Sequence, residues 1–336
     1  MRRPNQYIIA VLLFVALLSF CRINSSEGHG GSSSAVKTPI GGQTTFQMQT
    51  TALSAEVFET EATSITIDVR NTTPGAFGDV GEISIEDGSG MTTYQMQPGE
   101  STIAHPMSEG KKRVTITAGG QSRYRGEMRG IFIDEITFDK PAIAIQPSPP
   151  QILIYGDSLT IGANVDHPSA ESWPVLLRKH YSVIVEAYGY RALYDDASTP
   201  EKRSEFVSRM SAWMPEYVWL AVGTNDYGFE VWSSREFGEA YAATLDAIHS
   251  SNPQARVFAQ SPILRAEEPA NSFGNDLNDY RQQIASACMA RSAWCVFVDG
   301  RDSLFPQPDE LGDDGVHLTT ESSLKYAQAV LNIIGK

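Results

Sequence analysis

Apolar and polar residues alternate through the first third of the chain, after a short N-terminal stretch. Ile65, Ile67 and Val69 are separated by polar residues, and the same alternation recurs in other short runs between turn-forming clusters rich in Gly, Asp and Asn. A period of two residues is typical of strands that bury one face. We therefore predict an all-β sandwich, similar to a jelly roll, over residues 41–140.

The pattern changes after a proline-rich segment at residues 141–150, which we interpret as a linker. Beyond it, short apolar runs alternate with stretches of helical periodicity. This order predicts an α/β domain over residues 151–336, with a parallel sheet flanked by helices. The predicted strands are residues 152–155, 183–186, 218–222, 257–260 and 296–298.

Residues 1–20 have the pattern of a secretory signal peptide. An apolar run from Tyr7 to Phe20 follows two arginines and is shorter than a bilayer-spanning helix requires. The run ends in a sequence that resembles a bacterial lipobox, although Phe20 stands where a small residue is usual. We expect Cys21 to be lipidated; an ordinary cleaved signal and an uncleaved anchor are the alternatives. Residues 21–40 are rich in Gly and Ser and predict a flexible tether.

These features predict an exported protein, either a membrane-anchored lipoprotein in the periplasm or on the cell surface, or a secreted protein. Any membrane contact is expected only through the N-terminal anchor. The formal net charge of −14 argues against a nucleic-acid partner. Cys288 and Cys295 remain as a candidate disulfide in an oxidising compartment, with two buried thiols as the alternative.

The motif GDSL begins where the first predicted strand of the α/β domain ends. It places Ser158 on a turn between a strand and a helix. A serine on such a turn is often only a helix N-cap. A nucleophilic serine requires a base, a group that orients the base, and donors for an oxyanion.

Candidates for those groups follow later in the chain. Asn225, in GTND, comes just after another predicted strand, on the same edge of the sheet as Ser158. A turn-forming role is the alternative for this asparagine. His317 lies three residues after Asp314, a spacing that lets the carboxylate reach the imidazole, although a lone histidine in a loop is usually a surface residue.

Taken together, GDSL, GTND and DGVH resemble the conserved blocks of the GDSL or SGNH hydrolase family, in the family's order along the chain. The resemblance implies an SGNH-type fold over the last part of the chain. It also implies that Ser158 is the nucleophile, His317 the general base and Asp314 its partner, with Asp313 as the less favoured alternative. Asn225 would be an oxyanion donor.

One block departs from the family pattern. The resemblance places the glycine whose backbone N–H completes the oxyanion hole at Ala192, with Gly189 three residues earlier. Alanine retains the N–H group, so the donor can persist. We therefore expect an oxyanion hole formed by Ser158, Asn225 and an N–H from Ala192 or Gly189. Arg191 is a candidate substrate-binding residue, with a solvated surface position as the alternative.

A sandwich followed by an SGNH domain is similar to the arrangement of carbohydrate esterase family two, whose members remove acetyl groups from polysaccharides. This similarity implies a short-chain acetyl esterase acting on an acetylated carbohydrate or another small ester. Tyr227, Phe229 and Trp232 follow Asn225 and could stack on a sugar ring, or belong to the core.

Two other functions fit the sequence. One is a lipase or thioesterase acting on longer acyl chains, and the other is a glycan-binding lipoprotein without activity. The complete Ser, Asn, Asp and His set argues against the second, because a binding protein does not need all four. We find no motif for a cofactor and no spacing typical of metal ligands, so we expect neither.

Overall fold

The alternating segments form antiparallel strands in this computed structural model, which describes residues 35–37, 43–47, 53, 55–72, 81–124, 127–145 and 151–335. One sheet has the order β1-β2-β10-β4-β7, with β9 paired to β10, and a second has the order β11-β3-β8-β5-β6. The strands are β1 (Ala35–Lys37), β2 (Thr44–Gln47), β3 (Ala55–Thr60), β4 (Ser64–Asn71), β5 (Glu82–Glu86), β6 (Met91–Gln95), β7 (Gly99–Pro106), β8 (Lys112–Ala118), β9 (Gln121–Tyr124), β10 (Glu127–Phe138) and β11 (Ala142–Ala144).

The core of this region lies between the two sheets. In β4, every second residue is buried, so Ile65, Ile67 and Val69 point inward while their polar neighbours face outward. Phe46 and Phe138 from the first sheet meet Phe58 from the second within one apolar cluster. The alternation in the sequence therefore predicted the buried face, and the two packed sheets form a sandwich.

The α/β region has one parallel sheet, in the order β13-β12-β14-β15-β16. Its strands are β12 (Gln151–Gly156), β13 (Ser182–Ala187), β14 (Tyr217–Ala221), β15 (Arg256–Gln260) and β16 (Cys295–Val298). The helices are α1 (Ser158–Ile161), α2 (Pro168–Glu171), α3 (Trp173–Leu176), α4 (Leu193–Ala197), α5 (Pro200–Ser211), α6 (Thr224–Gly228), α7 (Ser234–Ser251), α8 (Leu277–Met289) and α9 (Thr320–Ile334), with 3-10 turns at Leu177–Lys179 and Pro308–Glu310.

Helices cover both faces of this sheet. In the central strand β12, Ile152 and Ile154 pack in one apolar cluster, whereas Leu153 and Tyr155 pack in another on the opposite face. Because both faces are buried, the strand reads as a continuous apolar run. The predicted fold class, a parallel α/β sheet preceded by an all-β sandwich, is confirmed.

Two predicted connectors contain strands at their ends. Residues 35–37, at the end of the predicted tether, form β1 and pair with β2, and residues 142–144 of the predicted linker form β11 and pair with β3. The predicted signal peptide, Cys21 and residues 146–150 lie outside the described residues. Nowhere in the described ranges is a helix long and apolar enough to span a membrane.

The sandwich contacts the α/β region through buried polar groups. The Glu82 carboxylate accepts hydrogen bonds from the backbone N–H and the hydroxyl of Ser169, at 2.7 and 2.6 Å. A second contact comes from the start of β9, where the backbone carbonyl of Gln121 accepts a hydrogen bond from the N–H of Gly189 at 2.9 Å. This contact reaches the loop that follows β13.

Candidate active site

Ser158 is the first residue of α1, directly after the central strand. Asp157, not Ser158, caps this helix, because its carboxylate accepts the N–H of Leu159 at 3.0 Å. Gly156 allows the tight turn, since a Cβ at this position would lie 1.9 Å from Oγ1 of Thr160. The serine hydroxyl is therefore not used for capping and remains available.

The hydroxyl of Ser158 faces His317. Its Oγ lies 2.9 Å from Nε2 of His317, and Nδ1 of the same ring lies 2.6 Å from Oδ2 of Asp314. A carboxylate can only accept hydrogen bonds, so the ring proton belongs on Nδ1 and Nε2 is left to accept the hydroxyl proton. The structure thus brings the predicted serine, histidine and aspartate into one hydrogen-bonded chain.

Asp314 is held by the turn that it begins. Its Oδ1 accepts the N–H groups of Val316 and His317, each at 2.9 Å. Burial acts to raise the pKa of this carboxyl, but the hydrogen bonds from His317 and Val316 outweigh it and lower the pKa to about 2. Asp314 is therefore ionised at neutral pH. Asp313, the alternative in the sequence, makes no hydrogen bond to the ring and instead lines a neighbouring cavity.

Asn164 completes this arrangement and was missed in the sequence. Its Nδ2 donates to Oδ2 of Asp314 at 3.1 Å, across 150 positions of the chain. Asn164 has a φ of 70°, which asparagine tolerates better than most residues do. The only local signal was an Asn shortly after a short helix, and that signal could not have indicated a contact with Asp314.

Asn225 lies at the start of α6, beside Ser158 on the same edge of the sheet. The strands that precede the two residues pair directly, with Gly156 opposite Ala221. Nδ2 of Asn225 donates to the carbonyl oxygen of Arg191 at 2.9 Å. This bond uses one amide hydrogen and orients the side chain, so the second hydrogen can serve another acceptor.

The loop after β13 does not supply the predicted N–H donor. The N–H of Ala192 donates to the carboxylate of Asp195 at 3.1 Å, and the N–H of Gly189 donates to the Gln121 carbonyl. The carbonyl of Arg191 faces Asn225, so the N–H of the same peptide unit points away from it. The sequence did contain a signal for the Ala192–Asp195 bond, because an Asp at the third position of a helix is suited to accept the N–H of the residue before the helix.

The residues of this edge lie within a segment that matches a family model. The model describes GDSL-like lipases and acylhydrolases and covers residues 154–322. The chain belongs to this family. It is therefore a carboxylic ester hydrolase, as the motifs predicted. No curated protein is significantly similar to the sequence.

Solved structures resemble this GDSL-like hydrolase over both regions. The salicylyl-acyltransferase SsfX3 from a tetracycline biosynthetic pathway is 14% identical, with a TM-score of 0.67 over 91% of this chain and 93% of that chain. A family two carbohydrate esterase from Cellvibrio japonicus is 16% identical, with a TM-score of 0.64 over 93% and 96%. The acetyl xylan esterase Est2A from Butyrivibrio proteoclasticus is 13% identical, with a TM-score of 0.62 over 86% and 92%. At these identities the likeness concerns the fold.

Arg191 of the hydrolase is buried, contrary to the prediction of a substrate-binding or surface position. Its guanidinium lies over the rings of Tyr155 and Tyr188, at 4.1 and 4.3 Å from their centroids. Its Nε donates to Asp196 at 2.9 Å, and Glu186 provides a second carboxylate. The side chain is therefore fixed beneath the loop, where it holds the backbone carbonyl that orients Asn225.

Two of the three predicted aromatic residues lie deeper than a sugar-stacking role requires. Tyr227 is buried and donates its hydroxyl to the carbonyl of Pro269 at 2.6 Å, and Trp232 is partly buried against the core. The third, Phe229, is 49% exposed, and its N–H donates to the carbonyl of Asn225; Tyr190, next to Arg191, is 45% exposed. Their ring centroids are 6.3 Å apart.

Two buried carboxyls lie next to Ser158 and Asn225, at the edge of the sheet that carries the site. Asp157 accepts one backbone hydrogen bond, from Leu159, whereas Asp226 accepts two, from the N–H groups of Leu193 and Tyr194 at 2.9 and 3.1 Å. Burial raises the pKa of each carboxyl to about 7, against the opposing effect of these hydrogen bonds. Asp226 also ties α4 to α6.

A cavity of about 540 Å³ adjoins the site. Its walls are residues 265–267 and 269–271, the end of α6 with Glu230, and residues 313–316 of the turn that carries His317. In the described part of the chain, no group of three or more His, Cys, Asp or Glu residues could hold a metal ion. Away from the site, Cys288 and Cys295 form a disulfide between α8 and β16.

Proposed function

We propose that the protein is an exported serine esterase that removes acetyl groups from a polysaccharide through an acyl-enzyme on Ser158. The observation that carries the proposal is the continuous hydrogen-bonded chain from Ser158 through His317 to Asp314. Such a chain is needed to activate a hydroxyl whose own pKa is far above neutral. The family membership supplies the reaction class, ester hydrolysis.

In the first half of the reaction, Oγ of Ser158 attacks the ester carbonyl carbon while Nε2 of His317 takes the hydroxyl proton. The carbonyl π electrons move to oxygen and form an oxyanion. Two donors are suited to this oxyanion: the second amide hydrogen of Asn225 and the N–H of Ser158. The Ser158 N–H is at the first position of a helix, where no preceding carbonyl of the helix is available to it.

The tetrahedral intermediate then collapses. The bond from carbon to the sugar oxygen breaks, and the imidazolium of His317 gives its proton to that oxygen, so the sugar leaves as an alcohol. Water then attacks the acyl-enzyme, with Nε2 of His317 as the base, and releases acetate and free Ser158. The ionised Asp314 stabilises the imidazolium in both halves.

Three observations support a carbohydrate ester. Structures of similar fold include a family two carbohydrate esterase and an acetyl xylan esterase. The rings of Tyr190 and Phe229 are exposed in segments bonded to Asn225, where a sugar could stack on them. The adjoining cavity carries five charged side chains, which suit hydroxyl groups better than a long acyl chain.

The experiment compares kcat/KM for p-nitrophenyl acetate and p-nitrophenyl octanoate, followed by acetate release from acetylated xylan and mannan. We expect a strong preference for the acetyl ester and acetate from at least one glycan, and no acetate from the Ser158→Ala variant. A preference for octanoate without acetate from either glycan would support a lipase or thioesterase. Inactivity on all substrates would support a glycan-binding lipoprotein.

Export and lipidation at Cys21 complete the proposal, and both rest on the N-terminal sequence. Cys21→Ser should move the protein from the membrane fraction to the soluble fraction if this residue carries the anchor. A wild-type protein already found in the soluble fraction would indicate simple secretion. A variant that stays in the membrane would indicate an uncleaved anchor.

A further inference from the structure

The cavity beside the site is placed to bind the part of the substrate that does not react. Its walls include Tyr227 and Gly228, which belong to the helix that contains Asn225, and Val316, which precedes His317. His317 protonates the leaving oxygen in the mechanism proposed above, so the alcohol portion of the ester must lie on its side. The volume of about 540 Å³ lies within the range of ligand sites.

Arg265 is the cation of this cavity. Its side chain makes no hydrogen bond or ion pair within the described ranges, and its Nε is buried without a partner. The guanidinium carbon lies 5.7 Å from the centroid of the Tyr227 ring, which is a weak contact for such a donor-rich group. A guanidinium with five N–H donors in this position is suited to bind ligand oxygens.

The backbone around Arg265 is fixed independently of any ligand. Its N–H donates to the carboxylate of Glu268 at 2.9 Å. Glu268 in turn accepts two hydrogen bonds from the buried Arg281, both at 2.6 Å. Arg281 also bonds the carbonyls of Pro262 and Ile263, so the whole loop is anchored to α8. The site is therefore preorganised.

Three further carboxylates line the same cavity: Glu230, Glu267 and Asp313. Their side chains have no hydrogen-bond or salt-bridge partner in the part of the chain that the structure describes. Glu230 has a φ of 55°, a backbone conformation that non-glycine residues seldom adopt and that is found more often at functional sites. Arg265 is the one cation among the residues that line the cavity, so the formal charge of its walls is negative.

We propose that this cavity binds a neutral sugar unit on the alcohol side of the ester, with Arg265 as its main hydrogen-bond donor. A sugar ring offers hydroxyls that donate to the carboxylates and oxygens that accept from the guanidinium. A uronic acid would meet the excess negative charge of the walls and would bind less well. The inference rests on the proposed function and names its substrate class: acetylated glycans that are neutral around the acetylated residue.

The test uses Arg265→Ala and Arg265→Lys in the full chain, with acetylated xylo- and manno-oligosaccharides and p-nitrophenyl acetate as substrates. We expect Arg265→Ala to lower kcat/KM for the better oligosaccharide about tenfold more than for p-nitrophenyl acetate, mainly through KM. Arg265→Lys retains the charge but lacks the planar guanidinium group, so its kcat/KM for the oligosaccharide should lie between those of Arg265→Ala and the wild type. Arg235 is an exposed arginine on α7, and Arg235→Ala is the matched control; it should leave kcat/KM unchanged for both substrates.

Inhibition by unacetylated oligosaccharides tests the charge preference. We expect xylotetraose or mannotetraose to inhibit p-nitrophenyl acetate hydrolysis with a Ki at least tenfold below that of trigalacturonate. The inference would be overturned if Arg265→Ala and Arg265→Lys lowered kcat/KM equally for the oligosaccharide and for p-nitrophenyl acetate. Tighter inhibition by trigalacturonate than by the neutral oligosaccharides would also overturn it. If the wild type releases no acetate from any oligosaccharide, the proposed function itself fails. If the wild type is active and Arg265→Ala is equally active, only the role of Arg265 fails.

Discussion

Replacing Asp157 by Asn should make the protein more stable than the wild type as the pH rises. The Asp157 side chain is buried, and its pKa is raised to about 7 from an ordinary value of 3.8. A carboxyl with a raised folded pKa contributes full stability below its unfolded pKa, and that stability is lost as the pH rises through the folded pKa. The relevant window therefore runs from about pH 4 to about pH 7.

The shift of about 3 units sets the size of the effect. Each unit corresponds to a little over 1 kcal/mol, so ionisation of Asp157 costs at most about 4 kcal/mol by pH 8. Asp157→Asn removes that ionisation and keeps the helix cap, because only Oδ1 accepts the Leu159 N–H and the amide oxygen can replace it. Asp226→Asn is the contrasting variant. Both of its oxygens accept N–H groups, so an amide leaves one N–H without an acceptor and should destabilise at every pH.

The assay is urea unfolding of both variants and the wild type at pH 5, 6, 7 and 8, followed by tryptophan fluorescence. We expect the free energy of unfolding of Asp157→Asn, relative to the wild type, to rise by about 2–3 kcal/mol between pH 5 and pH 8, because the rest of the effect falls below pH 5. A difference that stays constant over this range would mean that Asp157 is ionised in the folded protein, and the reasoning from burial would be refuted.

Three predictions concern catalysis. Ser158→Ala should lower kcat roughly a thousandfold or more without loss of the fold, measured as p-nitrophenyl acetate turnover and thermal unfolding; retained turnover would exclude Ser158 as the nucleophile. Asn225→Ala should lower kcat by about 10² to 10³ with little change in KM, whereas a change confined to KM would make Asn225 a substrate-binding residue. Asn164→Gly suits the positive φ and removes only the amide bonded to Asp314, so it should lower kcat about tenfold; an unchanged kcat would show that the turn positions Asp314 unaided.

The sequence predicted those parts of the molecule that depend on local pattern. The alternation at Ile65, Ile67 and Val69 indicated a buried face because a strand repeats every two residues. The order of GDSL, GTND and DGVH predicted roles for Ser158, Asn225 and His317, and the structure brings these residues to one edge of the parallel sheet, where loops after neighbouring strands meet.

The errors concern groups whose partners lie elsewhere in the chain or in a helix cap. Arg191 looked exposed because its charge is visible in the sequence, whereas the rings of Tyr155 and Tyr188 that enclose it are recognisable only in the fold. Ala192 was expected to offer its N–H, but Asp195 takes it. Residue type determines which bonds a group can make, and the tertiary structure decides which of them it does make.

The sandwich is part of the frame of the active site and more than an appended binding module. The carbonyl of Gln121 holds the N–H of Gly189, in the loop whose Arg191 carbonyl orients Asn225. The Glu82 carboxylate, fully buried at the same interface, is bonded by Ser169. A buried carboxylate without its donors is costly, so the two regions stabilise each other where they meet. The position of Asn225 therefore depends on hydrogen bonds from the sandwich as well as from the α/β region.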